Sequence, residues 1–152
     1  MSRRYALVCF SISVGLLLGS CAGPSASQRY LDSIVVEGYR KAGEGPGTSG
    51  AQVAYYVGPA SENINSLVNR PGGLHMETPT LDLTNGNTRH IGTGSGTIDG
   101  TVKCQILLFE LAQDGSRDPF VGDGKLTEAE AAKVMDGSYR IFRLSVLCGS
   151  SG

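Results

Sequence analysis

Two stretches, residues 101–111 (TVKCQILLFEL) and 138–148 (SYRIFRLSVLC), decide how this chain of 152 residues folds. In the second, Phe142, Leu144, Val146 and Cys148 alternate with Arg143 and Ser145. In the first, Cys104, Ile106 and Leu108 fall on one side. A period of two is the mark of a strand with one face in a core. Paired antiparallel, the start of one strand meets the end of the other, so Cys104 lies near Cys148 on the apolar side.

The composition agrees with a fold built on such strands. Glycine is abundant (22 residues), tryptophan is absent, and 18% of residues are charged. That favours turns and short strands over long helices. The expected fold is mainly β, a β-rich α+β chain: a small antiparallel sheet or sandwich with one or two short helices. A chain this long suits one domain with a real core. The net charge of −1 gives no reason to expect nucleic acid as a partner.

Other segments fit around the two strands. Residues 30–39 (YLDSIVVEGY) read as a possible helical turn passing into a strand, with Leu31, Ile34 and Val35 on one face if helical. Residues 42–50 (AGEGPGTSG) read as a loop, and residues 52–57 as a strand with Val53, Tyr55 and Val57 on one face. Ser61 is expected to cap a short helix with an Ile64, Leu67 and Val68 stripe, stopped by Pro71-Gly72-Gly73. In residues 80–91 (TLDLTNGNTRHI), Asn85-Gly86 suits a two-residue type I′ turn that sets Thr84 opposite Asn87 and Asp82 opposite Arg89. Residues 92–100 (GTGSGTIDG) read as a second glycine-rich loop. It has no Gly-Lys-Ser/Thr ending and no following helix, which argues against a phosphate loop.

The front of the chain has the layout of an export signal. Arg3 and Arg4 open it, an apolar run occupies residues 5–18, and small residues close it. The run is short for a bilayer span. Leu18-Gly19-Ser20-Cys21 resembles the lipobox of bacterial lipoproteins. That resemblance implies a signal peptide over residues 1–20, a lipid on the Cys21 sulfur and cleavage just before it. It also implies a place in the cell envelope, anchored to a membrane on the extracytoplasmic side. Residues 21–29 would then be a lipidated tether, and residues 30–152 a single small β-rich domain. Two or three acyl chains hold a protein on a membrane far longer than one. Ser2-Arg3-Arg4-Tyr5-Ala6-Leu7 also resembles the start of a twin-arginine signal, but departs from it at Ala6 and in lacking a lysine after Leu7. Loss of Arg3 and Arg4 from the 13 basic residues leaves 11 against 14 acidic ones, so a polybasic membrane patch is not expected.

Export has a redox consequence. With Cys9 removed and Cys21 lipidated, Cys104 and Cys148 are the remaining cysteines, and an oxidising compartment favours their disulfide.

Two groups of residues invite a site. Asp123, Gly124, Lys125, Leu126, Thr127 and Glu130 resemble the back half of an EF-hand loop. That resemblance implies calcium ligands at Asp123, the Lys125 carbonyl, Thr127 and Glu130, with Asp118 as a substitute earlier in the loop. Pro119 and Val121 stand where the family has side-chain oxygens, and calcium wants six to eight of them. The same residues also make a capping box, Thr127 with Glu130, opening a short helix through Ala131, Ala132 and Val134 that Gly137 ends. The two histidines, His75 and His90, lie near Glu77 and Asp82 but are too far apart in sequence for a local metal pair.

No nucleophile elbow or histidine–glutamate helix motif is present. The function expected is a non-catalytic binding or assembly module at a membrane surface, its partner an envelope protein or a small ligand. No cofactor is expected beyond the Cys21 lipid. A small envelope hydrolase whose residues meet only in the fold is one alternative, and a calcium-stabilised structural module is another.

Overall fold

The computed structural model describes residues 23–80, 84–112 and 124–149. The leader, Cys21, Asp82, Asp114, Asp118 and Asp123 lie outside them, so the sequence readings that fall there stay as expectations.

In chain order the elements are α1 (Ala26–Asp32), β1 (Val35–Val36), β2 (Arg40–Pro46), a 3-10 turn (Thr48–Gly50), β3 (Gln52–Pro59), α2 (Ile64–Leu67) and β4 (Val68–Asn69). After these come β5 (His75–Glu77), β6 (Thr84–Asn85), β7 (Thr88–Ile98), β8 (Val102–Leu111), α3 (Glu128–Met135) and β9 (Tyr139–Cys148). The fold is mainly β, as expected, and it is an antiparallel sheet with short helices rather than a sandwich. The sheet runs β2-β3-β9-β8-β7-β5, with β6 also on β7, and β1 and β4 form a separate two-stranded ribbon.

The two deciding strands pair as their alternation requires. Cys104 stands opposite Cys148, Ile106 opposite Val146 and Leu108 opposite Leu144. Paired residues point the same way, so this register collects one apolar face. Ala54 and Tyr56 of β3 join it, and α1, α2 and the β1–β4 ribbon cover it with Tyr30, Leu31, Ile34, Val36, Ile64 and Val68. The other face holds Val53, Tyr55, Val57, Ile141 and Leu111, onto which α3 brings Val134. β3 is therefore buried on both faces, and both sets of its alternating residues are core.

Several readings of the sequence are corrected. Residues 26–29, expected as part of a tether, are helical, because α1 begins at Ala26. Ser25 caps it, its side chain accepting from the Gln28 amide at 3.1 Å. The turn of helix passing into a strand expected over residues 30–39 is found, with Val35 57% exposed on β1. Residues 40–46 are an edge strand, not a loop. Pro46 and the glycines are tolerated there because the outer side of β2 pairs with nothing in the sheet, and the register shifts between Lys41 and Gly43.

A further correction concerns residues 92–98, which continue β7 and do not loop. Gly92, Gly94 and Gly96 pair with Leu108, Ile106 and Cys104, so all three face the covered side. A Cβ built on Gly96 would overlap Tyr30 Oη, on Gly94 the Met76 sulfur, and on Gly92 Asn65 Oδ1. The glycines thus remove side chains where the overlying layer must come close to the backbone. The β7–β8 turn uses Asp99 and Gly100, both at positive φ (55° and 73°).

The hairpin at Gly86 forms in a different register. Thr84 pairs with Arg89 and Asn85 with Thr88, leaving Gly86-Asn87 as the connection. Gly86 at φ 58° takes the first central position, the one a type II′ turn reserves for glycine.

Tyr30 gives the packing test. Its hydroxyl is buried without a hydrogen-bond partner among the described residues, and the Arg70 guanidinium lies 4.2 Å from the ring centroid. Gly96→Ala should destabilise by about 1–3 kcal/mol in urea unfolding, as overpacking does. Tyr30→Phe, which removes an unsatisfied hydroxyl, should cost nothing and should recover most of the Gly96→Ala loss in the double variant. A Gly96→Ala protein as stable as the parent would show that the Tyr30 layer is loosely held.

Candidate functional site: a charged cleft at one end of the sheet

The described residues form a cleft of about 670 Å³ on the covered face, beyond α2. Its apolar side is Ile64, Ile91 and Phe142, and its polar side includes Ser61, Asn65 and Thr78. Its charged wall is Arg89, Glu110 and Arg140. Three strands supply that wall. Arg89 opposes Glu110 across β7 and β8, and Glu110 opposes Phe142 of β9, two residues beyond Arg140. All three therefore project on the same side.

The Glu110 carboxylate lies between the two arginines, 2.6 Å from Arg89 Nη2 and 3.1 Å from Arg140 Nε. Arg140 Nη1 also donates to the carbonyls of Gly137 and Tyr139. A smaller cleft of about 290 Å³, bounded by Thr84, Asn87, Thr88 and Ala112, shares the same three charged residues. Asn65 closes the α2 side, donating from Nδ2 to the Ile91 carbonyl at 2.9 Å and to Thr78 Oγ1 at 3.3 Å. Its Oδ1 is buried with no partner. Ser61 is not the cap of α2, since Asn63 takes that position; its hydroxyl accepts from the Asn63 amide at 3.2 Å.

The sequence had not singled out Arg89, Glu110 and Arg140 as a group. The expected hairpin register set Arg89 opposite Asp82, which lies outside the described residues; Arg89 stands opposite Thr84 on β6 and opposite Glu110 on β8. The signal was available. A β8–β9 register that pairs the cysteines also puts residue 110 beside residue 142.

The residues of the EF-hand resemblance are placed as follows. Thr127 and Glu130 form the reciprocal capping box at the start of α3. Arg40 grips Glu130 with two bonds, Nε to Oε1 at 2.7 Å and Nη2 to Oε2 at 2.6 Å, while Nη2 reaches the Lys125 carbonyl at 2.9 Å. Of the oxygens that the resemblance assigns to calcium, the Glu130 carboxylate and the Lys125 carbonyl thus meet a guanidinium. Arg40, helped by the Thr127 hydrogen bonds, lowers the Glu130 pKa to about 2.

The histidines are apart. His75 lies on the edge strand β5, 3.3 Å from Glu77. His90 packs against Phe109 with ring centroids 5.2 Å apart, its Nε2 2.9 Å from the Gly92 carbonyl and 3.1 Å from Thr93 Oγ1. Among the described residues there is no group of three histidine, cysteine or carboxylate side chains able to hold a metal.

Cys104 and Cys148 come together at the other end of the same strands, with sulfurs 2.01 Å apart, a disulfide distance. Ser27 of α1 accepts from the Cys148 amide at 3.0 Å, fastening the helix beside the pair.

The chain matches no protein-family model, no curated protein and no solved structure.

Two measurements check this geometry. Reduction of the cysteine pair, which closes a loop of 44 residues in sequence separation, should lower stability by about 4 kcal/mol on the chain-entropy estimate. An unchanged urea midpoint in reductant would dismiss that contribution. For Glu130, the folded pKa is depressed from 4.5 to about 2, so its stabilisation is complete above the unfolded value and disappears as pH falls through the folded one. The stability gap between the parent and Glu130→Gln should therefore be constant near neutrality and shrink between pH 4.5 and 2. A gap that does not change with pH in that window would contradict the Arg40 pairing.

Proposed function

We propose that this protein is a bacterial cell-envelope lipoprotein, held to a membrane through lipid on Cys21, whose β-rich domain is a non-catalytic binding module. The binding role is carried by one observation, the 670 Å³ cleft with its Arg89–Glu110–Arg140 wall. Small-molecule sites are concave, mixed in lining and supplied with a few fixed polar groups, in a size range that includes this one. The anchor is supported by Leu18-Gly19-Ser20-Cys21.

The two features fit together spatially. Four residues lie between Cys21 and the start of α1 at Ala26, and the five steps reach at most about 18 Å. α1 is fastened at the Cys148 end of β9, whereas the cleft lies at the Arg140 end. Arg89 and Ile98 mark the same two ends of β7, and nine residues of strand span about 30 Å. A lipid on Cys21 would therefore hold the domain close to the bilayer with the cleft turned to the far end.

A second reading, a small envelope hydrolase, draws on Ser61, Glu62 and His90 around the same cleft. Against it stands the commitment of His90 Nε2 to the Gly92 carbonyl and Thr93 Oγ1, its hydrogen-bond partners among the described residues.

The decisive experiment is intact mass of protein extracted from membranes, beside a Cys21→Ala variant. The parent should begin at Cys21 and carry acyl chains, and the variant should lack them. Parent protein with its leader attached and no lipid mass would sink the anchor.

A further inference from the structure

We infer that the cleft binds a carboxylate bearing an apolar group, with Arg89 and Arg140 taking the carboxylate and Ile64, Ile91 and Phe142 the apolar part. This rests on the binding role proposed above and names its ligand class. The wall already shows what it recognises. Glu110 is a resident carboxylate held by two guanidinium groups from different strands, at 2.6 and 3.1 Å. Two cations meet one carboxylate within this wall, so positive charge is concentrated at Arg89 and Arg140, although Glu62 elsewhere in the lining balances it across the cleft as a whole.

The donors are not used up. A guanidinium has five N–H donors in a fixed fork that matches a carboxylate. The bonds to Glu110, Gly137 and Tyr139 engage Nε and Nη1 of Arg140, leaving its Nη2 outside those contacts. Arg89 meets Glu110 through Nη2 alone in that pair, and its side chain is 53% exposed. The wall borders the apolar group directly, because Phe142 is the cross-strand partner of Glu110. A ligand whose carboxylate sits on the wall can therefore lay its apolar end on Phe142, Ile64 and Ile91 without burying a charge unpaired.

The claim separates from a purely structural charge ladder by the effect of Glu110. As the resident competitor for both arginines, Glu110 should weaken binding of an external carboxylate. Its neutral isostere should strengthen it. A ladder that serves only to pair strands would give no ligand effect of either sign.

The test is an NMR titration of the soluble domain, residues 23–152, following backbone and arginine side-chain resonances. The probes are N-acetyl-L-leucine, its neutral amide, and a short peptide ending in leucine, which separates free acids from chain termini as the source of the carboxylate. Spectral dispersion of the apo sample first establishes that this form folds, the full-length detergent-extracted protein serving otherwise. The acid should shift Arg89, Arg140, Ile64 and Ile91 with millimolar affinity, and the amide should bind at least about tenfold more weakly, the factor equivalent to 1.4 kcal/mol. Arg89→Gln should weaken acid binding and Glu110→Gln should tighten it several-fold, each with an otherwise native spectrum. Equal binding of acid and amide in the cleft would overturn the carboxylate assignment while leaving a binding cleft in place. No perturbation of cleft residues by any of the three probes, or no gain from Glu110→Gln, would also overturn it.

Discussion

The register between β8 and β9 is the constraint on which the rest of the structure depends. Once Cys104 stands opposite Cys148, Ile106 must face Val146, Leu108 must face Leu144 and Glu110 must face Phe142. A slip of one residue would turn every one of these to the other side of the sheet. The pairing therefore does three things at once. It assembles the larger core, places two sulfurs within bonding distance at one end, and leaves a carboxylate at the opposite end where the apolar run stops. α1 reads the same register, since its Ser27 hydroxyl accepts from the Cys148 amide and its Tyr30 and Leu31 lie on the face so formed.

The second requirement is closeness. A helix and a short ribbon can cover one face of a sheet only if the strand beneath gives them room. β7 provides it by placing glycine at Gly92, Gly94 and Gly96, every second position on the covered side. Glycine weakens a strand through lost packing and entropy, and here the loss is offset by the large side chains that settle on the bare backbone. Tyr30, fully buried over Gly96, shows the cost that remains. Its hydroxyl reaches no acceptor among the described residues, and burial raises its pKa.

These two requirements explain what the sequence could and could not disclose. The alternation in residues 138–148 and the matching run in 101–111 made their pairing legible, because each face carries a different chemistry. The Thr127–Glu130 box was legible too, since a cap is a local event decided by four residues. Glycine-rich strands were not. Composition alone reads residues 42–46 and 92–98 as loops, because what makes them strands lies elsewhere: a neighbour to pair with, and, for β7, a layer that needs the space. The hairpin at Gly86 failed for a related reason. Asn85-Gly86 and Gly86-Asn87 are both acceptable turns, and β6 and β7 pair in the register that uses the second. The cleft was hidden in the same way, as its charged wall comes from three strands and no local pattern joins them.

Among the described residues guanidinium meets carboxylate at Arg29–Asp99, at Arg40–Glu130 and at Glu110 between Arg89 and Arg140, and the last two differ in a way that bears on the cleft. At Arg40 and Glu130, both carboxylate oxygens meet one bidentate cation, the Thr127 amide and hydroxyl add to them, and the Lys125 carbonyl takes a further N–H. One positive charge meets one negative charge at a helix start where negative charge is favoured, and neither residue borders the cleft. Such a pair satisfies the Glu130 carboxylate with donors from the protein itself. At Glu110, one carboxylate is shared by two cations, the geometry to each is single and not forked, and open volume adjoins both sides of the group. Guanidinium groups beside a cavity concentrate positive potential there. The same pairing chemistry thus closes one part of the molecule and, at Glu110, leaves arginine side chains bordering open volume.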